Sequence, residues 1–334
     1  MSAQTPACQL LERQQDDYTA LMVVAPPVDA WLIAQSTGVI SGDLSVLNEW
    51  QAAGKTACSP FMLLENAVTH GEIVLFWPKA HQLGIWWLEW LCSVLPVGTA
   101  IEIVGEHNGG VKRVPKVLAE RGMICDKRDN ARRCSLFASR TIAFENTLQD
   151  AWQRFEALGL TLVSHPGVFG HGKVDEGTLL LLESLEKELP KTPQRILDMG
   201  CGDGIISAWL AKRGHTVTAV DVSAFAVEAT RRTLEANNVD GHVLQSDVYS
   251  ALESQAYDFI ISNPPFHQER DVSYGPSQRL IRQAPERLAN RGRLIIVANA
   301  FLPYPDLLTG TFGSFETLAD NRRFRVYGAS QSGR

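Results

Sequence analysis

Ten residues, Arg195–Gly204 (RILDMGCGDG), constrain this chain more than any others. Ile196, Leu197 and Met199 form an apolar run of the kind that fills a buried parallel strand. Gly200, Gly202 and Gly204 follow, with carboxylates at Asp198 and Asp203, and IISAWL (205–210) then continues in a helical pattern. A strand, a glycine-rich turn and a helix in that order bring bare backbone close to a nucleotide-like ligand. A dinucleotide site asks for G-x-G-x-x-G, so that a pyrophosphate rests on the helix N-terminus. The spacing here is G-x-G-x-G, and Asp198 stands two residues before the first glycine. A carboxylate there repels a pyrophosphate and attracts a cation. S-adenosylmethionine (AdoMet) carries a sulfonium, an ammonium and no phosphate, so it suits the loop better, and a nicotinamide dehydrogenase is disfavoured.

The residues after this loop keep the rhythm. Strands are predicted at 216–221, 242–247, 257–262 and 293–299, helices at 224–237 (capped by Ser223) and 277–290, and a hairpin at 315–320 and 323–329. An amphipathic helix is predicted at 174–189, closed by Pro190 and Pro193. Alternation of this kind indicates a doubly wound, mostly parallel sheet with an antiparallel edge. Upstream, apolar runs at 20–25, 30–34, 73–77 and 101–105 read as short buried strands, and Trp86, Trp87 and Trp90 fall at helical spacing as core residues.

At 334 residues the chain is long enough for two domains. The two halves echo one another in order: Val74–His81 (VLFWPKAH) with Ile260–His267 (IISNPPFH), Ala100–Glu106 with Arg293–Asn299, and Asp129–Ser139 (DNARRCSLFAS) with Asp320–Ser330 (DNRRFRVYGAS). The reading is two copies of one fold: a degenerate domain at 1–150, a linker at 151–172 and a catalytic domain at 173–334. The first copy lacks the glycine loop and carries Phe76-Trp77-Pro78-Lys79 where the second has Asn263-Pro264-Pro265-Phe266.

Asp221 ends a strand 19 residues after Gly202, where an acid meets ribose hydroxyls in doubly wound folds; the alternative is a cap on the following helix. Asp247 ends the next strand and could accept from an adenine amino group, although Asp is common in such turns. Asn263-Pro264-Pro265-Phe266 follows an apolar strand at the sheet edge where ligands bind. Two prolines fix the backbone and leave carbonyls free, and Asn263 adds a side-chain acceptor. Converging acceptors hold both hydrogens of an –NH2 group and leave its lone pair facing an electrophile. Phe266 offers a face for a planar ring. His267 is the nearest candidate base and reads better as a structural or RNA-contacting residue.

The net charge of −6 provides no overall attraction to nucleic acid, so such binding needs local patches. Residues 111–140 hold nine Lys/Arg against three acids, and 279–334 hold nine Arg against four. Lys112, Arg113, Arg128, Arg132 and Arg133 are the candidate phosphate contacts, with solvated faces and salt bridges as the plain alternative. Six cysteines without C-x-x-C spacing or a nearby histidine read as buried thiols, with no metal site. Neither a signal peptide nor an 18-residue apolar run is visible, so a cytoplasmic protein away from membranes is expected.

With these residues in view, the C-terminal half resembles a class I AdoMet-dependent methyltransferase with an N-P-P-[FY] motif. The whole chain resembles the bacterial small-subunit rRNA (guanine-N2) methyltransferases of the RsmC type. The likeness rests on His165–Phe169 (HPGVF), Asp175-Glu176-Gly177, the glycine loop, IISNPPFH, the tail VANAFLPYPDLL and Asp129–Cys134 (DNARRC). It implies two tandem Rossmann-like domains and transfer of a methyl group to N2 of a guanine in helix 34 of 16S rRNA. It also implies a monomer acting on the small ribosomal subunit, with the first domain aiding folding and RNA binding. By the same resemblance, Asp198, Gly200, Gly202 and Gly204 line the methionine part of the cofactor, and Asp203 is a further cofactor-binding residue. Asp221 meets the ribose, Asp247 the adenine, and Asn263 through Phe266 the guanine. The alternatives are a 23S rRNA guanine-N2 enzyme, a release-factor glutamine methylase (which usually carries Tyr in place of Phe266) and a non-catalytic RNA-binding assembly factor.

Overall fold

The computed structural model describes residues 2–14, 21–62, 72–144, 148–254, 256–264 and 275–330. Pro265, Phe266 and His267 lie outside the described residues. The chain divides into two units, 1–152 and 153–334.

The first unit contains strands β1 (Leu21–Val24), β2 (Ser36–Ile40), β3 (Thr56–Cys58), β4 (Glu72–Phe76), β5 (Ala100–Glu106), β6 (Asp126–Ala131) and β7 (Cys134–Arg140). Helices α1 (Pro6–Glu12), α2 (Ala30–Gln35), α3 (Leu44–Ala52), α4 (His81–Val94) and α5 (Val114–Glu120) cover them. The sheet order is β3-β2-β1-β4-β5-β7-β6, with β7 and β6 antiparallel at one edge. Residues 30–34, expected as a strand, form α2 instead. Because β1 and β2 run parallel, the chain between them must cross back over the sheet. Asp29 starts that crossover helix by accepting from the Trp31 N–H (3.0 Å). Trp86, Trp87 and Trp90 pack in the core through α4, each at most 3% exposed.

The second unit opens with a hairpin, β8 (Gln153–Ala157) and β9 (Leu160–Ser164), and continues with α6 (Glu176–Glu188), β10 (Arg195–Met199), α7 (Ile205–Ala211) and β11 (Thr216–Asp221). There follow α8 (Ala224–Ala236), β12 (His242–Gln245), β13 (Tyr257–Ser262), α9 (Gly275–Arg287), β14 (Leu288–Asn299), α10 (Tyr304–Phe312), β15 (Glu316–Asp320) and β16 (Phe324–Ser330). The sheet order, β12-β11-β10-β13-β14-β16-β15, repeats that of the first unit strand for strand. The duplication read from three short echoes therefore extends to the whole topology. It is the mostly parallel, doubly wound architecture expected, built twice.

Several boundaries differ from expectation. Much of the segment read as a linker is the β8–β9 hairpin, whose Leu160 and Leu162 are buried in the core of the second unit. It is pinned to α8 by the Val163 N–H on Thr233 Oγ1 (2.9 Å) and the Thr161 N–H on Asn237 Oδ1 (3.1 Å). β14 begins at Leu288 rather than 293, and β12 stops at Gln245. Of the six cysteines, Cys125 is exposed while the other five are buried. Among the described residues no helix is long and apolar enough to cross a membrane, and no cluster of three or more His, Cys, Asp or Glu could hold a metal ion.

Candidate active site

Register alone gathers the key residues. Met199 of β10 lies opposite Val220 of β11 on one side and Ser262 of β13 on the other. Gly200, Asp221 and Asn263 are the next residues along these three adjacent strands. They therefore emerge together at the carboxyl edge of the sheet, with strands about 4.8 Å apart. The Ser262 hydroxyl donates to the Met199 carbonyl (2.7 Å) and locks the two strand ends together.

The glycine loop is held from behind. The N–H groups of Gly200 and Cys201 both donate to the Val220 carbonyl (2.8 and 3.0 Å). Asp221 accepts from the Gly202 N–H (3.1 Å) and the Ser223 N–H (2.9 Å), and the Thr230 hydroxyl donates to the Gly202 carbonyl (3.2 Å). Gly200, Gly202 and Gly204 all adopt left-handed backbone (φ 81°, 57° and 83°), which favours glycine. Their surroundings differ. A β-carbon on Gly204 would come within 2.9 Å of the Thr230 α-carbon, whereas one on Gly200 or Gly202 would enter open space. The loop thus presents a bare cradle on one side and close packing on the other.

Three carboxylates surround the cradle. Asp198 is fully buried; one oxygen accepts from the Ser207 hydroxyl (2.5 Å), and the other has no partner among the described residues. Burial pushes its carboxyl up to about 7, against the pull of the Ser207 hydrogen bond and with Asp221 adding to the rise. Asp203 accepts from the Ile205 N–H at the start of α7 (3.3 Å), and burial raises it to about 6. Burial disfavours the ionised form of Asp198 and Asp203, and a cation in the open glycine cradle, such as a sulfonium with an ammonium, would favour it. Asp221, half-buried at the end of β11, braces the loop and the turn into α8, while the side-chain cap of that helix is Ser223. Asp247 is already engaged, receiving both Nη groups of Arg279 (2.9 and 2.7 Å).

Asn263 is the other half of the site. Its Nδ2 donates to Thr178 Oγ1 (2.7 Å) and Asp175 Oδ2 (3.2 Å), both at the start of α6. Its buried Oδ1 has no partner among the described residues, and the buried Pro264 follows it. An unpartnered buried acceptor at a ligand-binding sheet edge suits an amine donor. Sequence reasoning reaches Asp175 only through a resemblance motif and passes over Thr178 and Ser207. A D-x-G-T run opening a helix is the available signal. Between β9 and α6, the His165 ring stacks on Phe225 of α8 (centroids 4.7 Å apart, planes 9° apart), and burial holds it neutral by driving its pKa down to about 3.

In the first unit the equivalent edge has closed. β1 runs into Ala25-Pro26-Pro27 instead of a glycine loop. Phe76, set against Asn263 in the sequence comparison, is instead the last residue of β4 as Ser262 is of β13; Trp77 takes the position of Asn263, is 5% exposed and packs against Gly84 and Gly105. Lys112 and Arg113 are exposed in a 3-10 turn beyond β5, and Arg132 and Arg133 are exposed in the tight β6–β7 turn at φ 53° and 58°. The His107 N–H donates to the Arg133 carbonyl (2.8 Å), which brings this turn beside the carboxyl end of β5. Arg128 lies apart, toward the amino ends of β4 and β5, lining a cavity of about 410 Å³ with Glu72, Glu102 and Asp126.

A doubly wound sheet with an acid-flanked glycine loop beside a strand-end asparagine has the fold and layout of a class I AdoMet-dependent methyltransferase. The methyltransferase small domain model matches residues 159–328, and the methyltransferase small domain N-terminal model matches 8–155. The chain is 56% identical to the ribosomal RNA small subunit methyltransferase C of Chromohalobacter salexigens, covering all of both chains. It is 37% identical to that of Photorhabdus laumondii over 99% of each. It also superimposes on the T. thermophilus 16S rRNA N2 methyltransferase (RsmC) solved in complex with AdoMet and guanosine. That match has a TM-score of 0.85 at 27% identity and covers 98% of this chain and 92% of that one. The chain belongs to the ribosomal RNA small subunit methyltransferase C family.

Proposed function

We propose that this chain transfers the methyl group of AdoMet to the exocyclic N2 of a guanine in 16S rRNA. The observation that carries the reading is the buried Oδ1 of Asn263, which has no partner among the described residues and is fixed at the sheet edge one strand from the glycine cradle. When bound, AdoMet supplies a methyl group on a positively charged sulfur, open to in-line displacement. Asp198 and the loop Gly200–Gly204 hold the cationic methionine end, Asp203 shapes the first turn of α7, and Asp221 receives the ribose hydroxyls. Asp247 meets the adenine while sharing its oxygens with Arg279.

Asn263 Oδ1 and the Pro264 carbonyl accept the two amine hydrogens; Pro265 and Phe266, assigned to the guanine by the sequence motif, lie outside the described residues. Held this way, the nitrogen lone pair points at the methyl carbon. The N–C bond forms as the S–C bond breaks, leaving a neutral thioether, and the methylated nitrogen then releases a proton to solvent. Alignment carries most of the acceleration, so no base is required beside the corner. In the first unit, Lys112, Arg113, Arg132 and Arg133 supply phosphate contacts, with Arg128 as a more distant one. The chain works as a monomer on the small subunit, in the cytoplasm.

The test uses small subunits and naked 16S rRNA from a strain lacking the gene, incubated with the protein and AdoMet. Nucleoside mass spectrometry should show new N2-methylguanosine in 16S rRNA. Methylation confined to 23S rRNA, or none on either substrate, would overturn the reading.

A further inference from the structure

The first turn of α6 carries the sequence Asp175-Glu176-Gly177-Thr178, and three of its four residues converge on Asn263 or make room for the convergence. Thr178 Oγ1 and Asp175 Oδ2 both accept from Asn263 Nδ2, across 85 and 88 residues of chain. Asp175 Oδ2 also accepts from the Thr178 N–H (3.3 Å), so one carboxylate caps the helix and grips the asparagine. Gly177 is buried, and a β-carbon there would come within 2.9 Å of Asp175 Oδ2 and 3.2 Å of the Phe324 ring. Only a residue without a side chain lets the carboxylate sit where it does.

A primary amide is nearly symmetric in shape, and its oxygen and nitrogen exchange places by a half-turn. An ionised carboxylate accepts and never donates. With Asp175 Oδ2 at 3.2 Å, the reversed amide would set oxygen against oxygen, so the chemistry of the partner fixes the orientation. Turned the other way, Asn263 would present an NH2 group to the substrate, and a donor facing a donor amine cannot hold it.

We propose that Asp175 and Thr178 are positioning residues that lock the Asn263 amide with Oδ1 toward the substrate, and so set the polarity of the amine-binding corner. The inference rests on the function proposed above for its kinetic arm and on geometry alone for its spectroscopic arm.

The test uses the full chain labelled with [15N]asparagine, the Asn263 side-chain NH2 signal being identified by its loss in Asn263→Ala. Thr178→Val removes one acceptor and leaves the helix cap in place. Asp175→Ser keeps a capping oxygen but is too short to reach Asn263. In both variants the Asn263 NH2 pair should shift, and Thr178→Ser should return it toward the wild-type position. On small subunits, Thr178→Val should lower kcat roughly tenfold, with the KM for RNA and the Kd for AdoMet within about twofold, and Thr178→Ser should restore it. An NH2 pair unmoved in both variants would overturn the lock, as would a moved pair with unchanged kcat, or a kcat loss matched by lost cofactor binding. Should Asp175→Ser fail to fold, Thr178→Val decides the matter alone. A wild-type chain that methylates no 16S rRNA would remove the functional reading, and the amide signals would still judge the lock.

Discussion

Trp77 lies over Gly84 so closely that a β-carbon on Gly84 would come within 2.5 Å of the indole ring. Trp77 follows β4 as Asn263 follows β13, so a bulky aromatic closes the first unit at the point where the second presents an amide. Gly84→Ala should therefore destabilise the first unit. The overpacking costs about 1–3 kcal/mol, and the gain of roughly 1 kcal/mol in helix propensity only partly offsets it. A lowered urea midpoint followed by tryptophan fluorescence, with AdoMet affinity unchanged, is the expected result. Trp77→Asn should create no second catalytic corner, because Pro26 and Pro27 stand where a glycine loop would be needed.

The glycine loop predicts two kinds of failure. Gly204→Ala meets both a left-handed backbone, costing about 1–2 kcal/mol, and the Thr230 α-carbon, so it should lower the melting temperature as well as binding. Gly200→Ala and Gly202→Ala carry the backbone cost alone. Their methyl groups enter the cradle, so calorimetry should show AdoMet binding lost at a smaller cost in stability.

Asp198 gives a pH signature. Its carboxyl titrates near 7 when folded and near 3.8 when unfolded, so between these values the folded state holds the extra proton. Stability contributed by this group therefore falls as pH rises from about 4 to about 7 and changes little above. Buried neutral histidines such as His165 act in the opposite sense, losing stability as pH falls below the ordinary histidine range. The difference between variants isolates the acid: the melting temperature of Asp198→Asn minus that of wild type should widen from pH 5 to pH 8. A cationic cofactor favours the ionised carboxylate, so AdoMet affinity should rise through this window in wild type and not in Asp198→Asn.

Much of the fold and site is legible in the sequence, for reasons that particular residues make plain. The loop Asp198–Gly204 combines left-handed turns with a buried acid, and few other arrangements accommodate that composition. The echo of Ile260–His267 in Val74–His81 survives because strand-end geometry persists after chemistry is lost. The run AWLIA (30–34) misleads because a short apolar stretch suits a helix or a strand equally, and only the parallel pairing of β1 and β2 decides. The hairpin 153–164 resembles a linker because its partners on α8 lie some 70 residues downstream. The grip of Thr178 on Asn263 spans 85 residues, and no local pattern encodes it.

The basic residues separate by position. Lys112 and Arg113 stand in the turn beyond β5, near the Arg132–Arg133 turn, while Arg128 lines a cavity at the other end of the sheet. Replacing Lys112 and Arg113 together by Ala should weaken rRNA binding and flatten the dependence of log affinity on log salt. The slope should fall by about 0.7–0.9 for each phosphate no longer neutralised. Arg128→Ala should change both quantities less, as measured by filter binding across a salt series.

In the proposed reaction Asn263 orients the amine and takes no part in holding the cofactor. Paired measurement of AdoMet binding by calorimetry and N2-methylguanosine formation on 16S rRNA in Asn263→Ala tests it most directly. A Kd within about twofold of wild type is expected, together with turnover reduced by roughly a hundredfold or more. Retained turnover, or turnover lost only in proportion to lost AdoMet binding, would contradict it.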